Sequence, residues 1–279
     1  MNFSVNASPF AGKEGEFKTS RQIRERLFKE LETDVALGVE DDPVNGWTVS
    51  GRGELHLAIL IERLRREGYE FQVSRPQVIE KEIDGKLMTP VERLFIEVPE
   101  DFSGVVMQKL GFRHAELKDM TVDSGIAFME FEIATKELFG YRSEFITDTR
   151  GLGMINTNFL EYRINTASSF NRERGSLVAH ETGTTTTYAL LNAQDRGTLF
   201  VGPGVPVYKG QVVGQNAREG DLVVNVCKEK HLTNIRSKGE GTADHFNAPK
   251  VVSLEDALEY IDDTELVEVT PKSVRIRKI

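Results

Sequence analysis

The chain has 279 residues, 39% of them hydrophobic and 28% charged, with a formal charge of −9. That length accommodates two or three domains, each with a sizeable core. No apolar run approaches the ~20 residues of a membrane span, the opening MNFSVNASPF lacks the basic and apolar stretches of a signal peptide, and the single cysteine, Cys227, excludes an internal disulfide framework or a multi-cysteine metal site. A reducing, cytoplasmic setting without membrane contact is the expectation.

In chain order, the first stretch reads β-α-β-β-α-β. NFSVNASPF alternates as a strand. In TSRQIRERLFKELE, Thr19 and Gln22 have capping-box spacing, and Ile23, Leu27 and Leu31 fall on one helical face. VALGVEDD and GWTVSG are short strands around the turn DDPVNG. GELHLAILIERLRREG is a second helix with Leu57, Ile61 and Leu64 on one face and Gly68 at its end. YEFQVSRP returns as a strand. This is the pattern of a split βαβ, ferredoxin-like sandwich.

A second sandwich repeats the plan. RLFIEV is a strand, Ser103 is placed to cap a short helix through Leu110, and Asp123-Ser124-Gly125 marks a hairpin between LKDMTVD and IAFMEFEIAT. KELFGYRSEFITDT reads as a helix and GMINTNFLEYRI as the closing strand. From about residue 166 the chain turns Thr-, Val- and Gly-rich, with turn signals at ETGTTTT, AQDRG, VGPGVP, YKGQ and REGD. The expectation there is a mostly β domain with one helix, SLEDALEYI, and final strands ELVEV and SVRIR. The predicted class is α+β, with domains at 1–79, 80–165 and 166–279.

Motifs for chemistry are weak. AGKEGE fails the P-loop pattern, because Glu14 follows Gly12-Lys13 and Ala7 stands where the first glycine belongs. SGRGEL has His56 in place of a third dinucleotide-fold glycine and reads as a strand-to-helix turn. The five histidines show no H-E-x-x-H spacing, and no G-x-S-x-G nucleophile elbow occurs. Asp195-Arg196-Gly197 reads as a turn, and Asp262-Asp263 as a helix end. Cys227, in the apolar run VVNVC, reads as a packed thiol. No catalytic or metal-binding residue is nominated.

Charge is unevenly spread. Residues 253–268 hold seven acids without Lys or Arg, while PKSVRIRKI at the end carries +4. KEKHLTNIRSKGEG, residues 228–241, carries +3 over 228–238 from Lys228, Lys230, Arg236 and Lys238 against Glu229. Such charge acts locally, within roughly 8 Å at physiological salt. Lys and Arg neutralise phosphates; His231, Thr233, Asn234 and Ser237 add groups of the kind that contact phosphate and ribose. Nucleic-acid contact and a solvated hairpin tip are both consistent with this composition.

SPFAGKEGEFKTSRQI, SGRGELHLAILIERLRREGYEFQVSRPQVI, RSEFITDTRGLGMINTNF, AQDRGTLFVGPG, VYKGQVVG, HLTNIRS and EDALEYIDDTELVEVTPKSVRIRK together resemble the C-terminal part of the BipA/TypA translational GTPases, relatives of elongation factor G. GELHL is shared with several such factors. LTNIRS and ELVEVTPKSVRIRK, directly after two sandwiches, separate BipA from its relatives. The resemblance implies domains III and V followed by the family-specific C-terminal domain. It also implies a G domain holding GTP and Mg, and a β-barrel, in the part of such proteins that precedes these; this chain would not itself be an enzyme. Its expected partner is the ribosome, through large-subunit rRNA and A-site tRNA touched by Lys228, Lys230, His231, Thr233, Asn234, Arg236, Ser237 and Lys238. Lys13, Arg52 and Glu54 become candidates for contact with the ribosome or the protein's own G domain. The resemblance also implies a monomer linked to large-subunit assembly and stress responses. A different reading, a small-molecule sensor built on paired ferredoxin-like domains, gives no role to the four basic side chains.

Overall fold

The computed structural model describes residues 1–44, 46–164, 172, 174–229 and 246–279. Two compact units result. Met1–Pro76 and Arg172–Ile279 form one, and Gln77–Asn171 the other.

The first unit begins with β1 (Asn2–Ser4), α1 (Ser20–Glu30), β2 (Gly38–Asp42), β3 (Gly46–Ser50), α2 (Glu54–Arg66) and β4 (Phe71–Ser74). The capping box forms as expected: the Thr19 hydroxyl accepts from the Gln22 amide while the Gln22 side chain accepts from the Thr19 amide. Ile23 and Leu27 of α1, and Leu57, Ile61 and Leu64 of α2, are buried against the sheet. The strands run in the antiparallel order β4-β1-β3-β2, as a split βαβ sandwich requires.

The second unit contains β5 (Lys81–Ile83), β6 (Lys86–Pro99), α3 (Ser103–Phe112), β7 (Glu116–Asp123), β8 (Ile126–Ala134), α4 (Tyr141–Asp148) and β9 (Met154–Ile164). The four long strands lie in the order β7-β8-β6-β9, and the short β5 extends β6 as a hairpin. Leu94, Ile96, Val98, Ala127, Met129, Phe131 and Ile133 face Val106, Leu110, Tyr141 and Phe145 of the helices. Each such fully buried side chain contributes roughly 1.5–3 kcal/mol.

Two local expectations need correction here. Ser103 does not cap α3: its hydroxyl donates to the Glu100 carbonyl, within a 3₁₀ turn at Glu100–Phe102 that precedes the helix. KELFGYRSEFITDT is not one helix. A 3₁₀ turn, Thr135–Leu138, is separated from α4 by Gly140 at φ +72°, a left-handed conformation that breaks the helical run.

The last part comprises β10 (Ser176–Ala179), β11 (Gly183–Thr184), α5 (Thr187–Gln194), β12 (Gly197–Leu199), β13 (Pro206–Val207), β14 (Gln211–Asn216), β15 (Leu222–Val224), α6 (Leu254–Tyr260), β16 (Glu265–Val269) and β17 (Val274–Lys278). The α+β class holds, with α5 added to the one expected helix. Thr186, within the apparent turn ETGTTTT, is its N-cap.

β16 pairs antiparallel with β4, Val267 opposite Val73 and Val269 opposite Phe71. The sheet therefore runs continuously as β15-β10-β14-β17-β16-β4-β1-β3-β2, with β12 paired to β14. One core spans the join: Phe3, Ile61, Leu64 and Phe71 share a cluster with Leu254, Leu258, Val267, Val269 and Ile276. Residues 1–76 and 172–279, divided between two domains on sequence, share this sheet and this core.

Candidate functional site

The root of the basic segment is built by α5 and β15. After β15, the Val226 carbonyl accepts the Thr186 amide at 3.0 Å. The Thr186 hydroxyl donates to the Lys228 carbonyl at 2.6 Å and accepts from the Ala189 amide at 3.2 Å. One side chain thus caps α5 and fixes where the chain departs, leaving Lys228 exposed. On the return side, the Asn247 amide donates to Gln194 at the C-terminal end of α5, and the Lys250 amide donates to the Leu199 carbonyl at 2.8 Å. Phe246 packs on the Leu177–Leu190–Val226 cluster. The departing and returning chains are therefore pinned to opposite ends of one helix. Lys230, His231, Thr233, Asn234, Arg236, Ser237 and Lys238 lie outside the described residues. Cys227 lies past the end of β15 rather than within the strand; burial, then the Glu181 charge, pushes its thiol pKa up.

Of the other basic run, at the C-terminus, Arg275 and Lys278 are ion-paired within the fold, while Lys272 is exposed. Arg275 pairs with Glu14 and Glu268, and Lys278 with Asp221 and Glu265. Arg277 donates to Gln72 at 2.8 Å. Arg172 answers part of the acidic stretch, pairing with Glu265 at 3.0 Å and Asp262 at 3.3 Å and lying over the Tyr260 ring. Burial pushes the Tyr260 hydroxyl up to about 12.

The glycine-rich stretch AGKEGE is a loop fastened by buried carboxylates. Glu70, fully buried, accepts the Gly12 amide at 2.6 Å, the Gly15 amide at 2.8 Å and the Asn6 side-chain amide at 2.8 Å. A Cβ on Gly15 would sit 2.3 Å from the Glu70 Cβ, so only glycine fits. Glu268, also fully buried, accepts from Asn6, Ser8, Tyr208 and Arg275 at 2.8–3.0 Å. Burial, then the Glu268 charge, raises the Tyr208 pKa far above that of an ordinary phenol. Burial works to raise the Glu14 carboxyl, but hydrogen bonds from Thr270 and the Arg275 charge outweigh it and hold the group below its usual range. Lys13 is exposed and lies 4.1 Å above the Phe10 ring.

The turn SGRGEL is held differently. The Arg52 amide donates to His56 Nδ1 at 3.2 Å, which leaves Nε2 to donate to Asp34 at 2.5 Å. The His56 hydrogen bond, chiefly, depresses the Asp34 carboxyl. Arg52 is exposed and Glu54 opens α2 half-buried; Leu55 and Ile59 on the same helix are 58% and 52% exposed. Because β1 and β3 are antiparallel neighbours, the loops that follow them leave opposite ends of the sheet. Lys13 and the Arg52/Glu54 pair therefore do not converge.

Neither buried carboxylate was nominated from sequence. Glu268 alternates with apolar residues in ELVEV as a solvent-facing charge would. The available signal was the pair of side-chain-free donors Gly12 and Gly15. Among the described residues no group of three or more His, Cys, Asp or Glu is placed to hold a metal, and no helix is long and apolar enough to cross a membrane.

Comparison with known proteins agrees with this architecture. Residues 174–279 match the family described as TypA/BipA C-terminal domain, and residues 86–173 match Elongation factor G C-terminus. The chain is 52% identical, over its whole length, to 47% of the large ribosomal subunit assembly factor BipA of Synechocystis sp.. It is 48% identical to the Bacillus subtilis protein of that name, again over all of this chain and 46% of the relative. It is also 48% identical to the Arabidopsis thaliana putative elongation factor TypA-like SVR3, chloroplastic, over 42% of that protein. The chain spans about half the length of these relatives. With both family models abutting at residues 173 and 174 and the relatives aligned from end to end of the chain, the chain belongs to the BipA/TypA family.

Proposed function

We propose that the chain is the ribosome-binding part of a BipA-type translational GTPase. It seats on large-subunit rRNA and on tRNA in the A site through the segment from Lys228 to Lys238. The observation that carries this reading is the end-to-end match to proteins named large ribosomal subunit assembly factor, joined to a local charge of +3 over 228–238. The pinned root supports it. A phosphate-contacting segment needs a fixed point of departure, and Thr186 supplies one at Lys228. Arg275 and Lys278 of the C-terminal basic run are engaged by carboxylates within the fold, which makes that run less available to a polyanion.

This chain supplies positioning rather than chemistry. GTP and Mg belong to a G domain in the remainder of the longer protein, and hydrolysis belongs there. Lys13 and the Arg52/Glu54 pair, at opposite ends of the first sheet, serve two contacts, one on the ribosome and one on the G domain. The protein acts as a cytoplasmic monomer in large-subunit assembly and stress adaptation.

Co-sedimentation with large ribosomal subunits across a salt series tests the reading. Binding should fall steeply with salt, and alanine at Lys228, Lys230, Arg236 and Lys238 should reduce the logarithmic salt slope by about 3. Equal affinity and slope for both proteins would remove the segment from the interface.

A further inference from the structure

The second unit leaves one face of its sheet uncovered, and the strand register sets out what stands there. Asp119 is opposite Glu130, Glu130 opposite Phe95, and Phe95 opposite Asn156; in the next row Thr121, Phe128, Glu97 and Met154 stand side by side. At the centre, two phenylalanines and two glutamates alternate as a checkerboard. Phe95 is diagonal to Phe128 and Glu97 diagonal to Glu130, about 7–8 Å apart. Phe95 is 37% exposed, Phe128 41% and Met154 57%. Large apolar side chains at these positions are not needed for the core, which lies on the other face. They line a shallow cavity of about 200 Å³ together with Glu97, Asp119, Thr121, Glu130 and Asn156.

Carboxylates outnumber cations on this face, where Arg93 stands among Glu97, Glu130 and Asp119. Arg93 pairs with Glu130 at 3.1 Å, and Glu132, further along, is matched by Lys118 and Arg163. Among the described residues, Glu97 and Asp119 have no cationic partner. Asp123, beside Ile126 at the end of the same face, adds a further carboxylate. An exposed apolar patch rimmed by polar groups marks an interaction site, and the rim selects the partner. Single-stranded nucleic acid would find aromatic rings to stack on, but its phosphates would meet unneutralised carboxylates. A cationic side chain would find both things it seeks: ring faces for the cation and its aliphatic stem, and carboxylates for its charge.

We propose that this face docks a basic polypeptide segment of another protein, with one Arg or Lys side chain settled between Phe95 and Phe128 and its head group on Glu97, and a second basic side chain on Asp119, two strands away. The occupant is an extended segment that alternates basic and apolar residues, matching the alternation of the face itself. This contact is separate from the RNA contact proposed above and stands on different residues.

Amide-resolved NMR of the whole chain tests it. The probes are a short peptide alternating Arg and Leu, the same peptide with Glu for Arg, and a single-stranded oligouridylate. The Arg peptide should shift amides of residues 93–97, 119–123, 126–130 and 154–156, and salt should weaken the effect. Glu97→Lys should weaken binding roughly tenfold or more, and Phe128→Thr should weaken it as well. Unshifted resonances of Leu110, Phe131 and Ile133, on the inner side and outside the reporter ranges, would show both variants folded. Four results would each overturn the proposal: equal shifts with the Glu peptide, stronger shifts of the same amides with the oligouridylate, undiminished affinity in Glu97→Lys, or concentration-dependent shifts of these amides in the protein alone.

Discussion

Replacing Glu268 with alanine should unfold both ends of the first unit together. Glu268 is fully buried and accepts from the Asn6 amide, the Ser8 hydroxyl, the Tyr208 hydroxyl and Arg275. Alanine removes the acceptor of all four donors and leaves the Arg275 guanidinium, 12% exposed, with Glu14 as its remaining carboxylate partner. Breaking one side of a buried ion pair costs about 3–5 kcal/mol, a large fraction of a typical domain's 5–15 kcal/mol. At a urea dependence of about 2 kcal/mol per molar, a loss of 4 kcal/mol lowers the midpoint by about 2 M. The chain's single tryptophan, Trp47, is buried in β3, far along the sheet from β16. If residues 1–76 and 172–279 are one cooperative body, the Trp47 fluorescence transition must move by that amount. An unmoved Trp47 transition, with a separate earlier transition by circular dichroism, would refute the shared-core reasoning.

Thr186→Ala should cost about 1 kcal/mol through the lost helix cap and should weaken ribosome binding in co-sedimentation, while Thr186→Ser restores both. On acidification the first unit should lose stability. Glu14, Asp221 and Asp262 all lie below their ordinary values, because ion pairs and hydrogen bonds outweigh burial. Their contribution is complete above the ordinary value of 4.5 for Glu and 3.8 for Asp and is lost as pH falls through the lower native ones; urea midpoints followed by Trp47 should record the decline. Glu137 in the second unit carries the opposite sign. It is 1% exposed with both carboxyl oxygens unpartnered, and burial raises its pKa. Its contribution is present below 4.5 and lost as pH rises through the native value. Glu137→Gln should therefore slow hydrogen exchange in peptides spanning 127–133 at neutral pH, by a stability gain of about 1 kcal/mol.

The parts of the fold legible in sequence were those governed by local rules. Thr19-Gln22 announces its capping box, Ile23 and Leu27 their helical face, and Asp123-Ser124-Gly125 its hairpin. What was not legible depends on partners distant in sequence. The pairing of β16 with β4 joins Val267 to Val73, and nothing within ELVEV distinguishes a strand that extends a neighbouring sheet from one that closes its own. For the same reason Glu268 looked solvated. Alternation shows which face of a strand is polar, but not whether that face is later covered, here by Asn6, Ser8 and Tyr208. The candidate site divides likewise. The charge of the basic segment was visible in composition, whereas its attachment through Thr186 and Gln194 emerged only once ETGTTTT proved to be the start of α5.

The contact between the basic segment and the large subunit is tested most directly at Lys228, exposed at the root of that segment. A photo-crosslinking amino acid placed there, in the full-length protein bound to ribosomes, should yield crosslinks to large-subunit rRNA or to the acceptor end of A-site tRNA. Crosslinks confined to the small subunit, or none from protein that still sediments with ribosomes, would contradict the RNA-seating role of the segment.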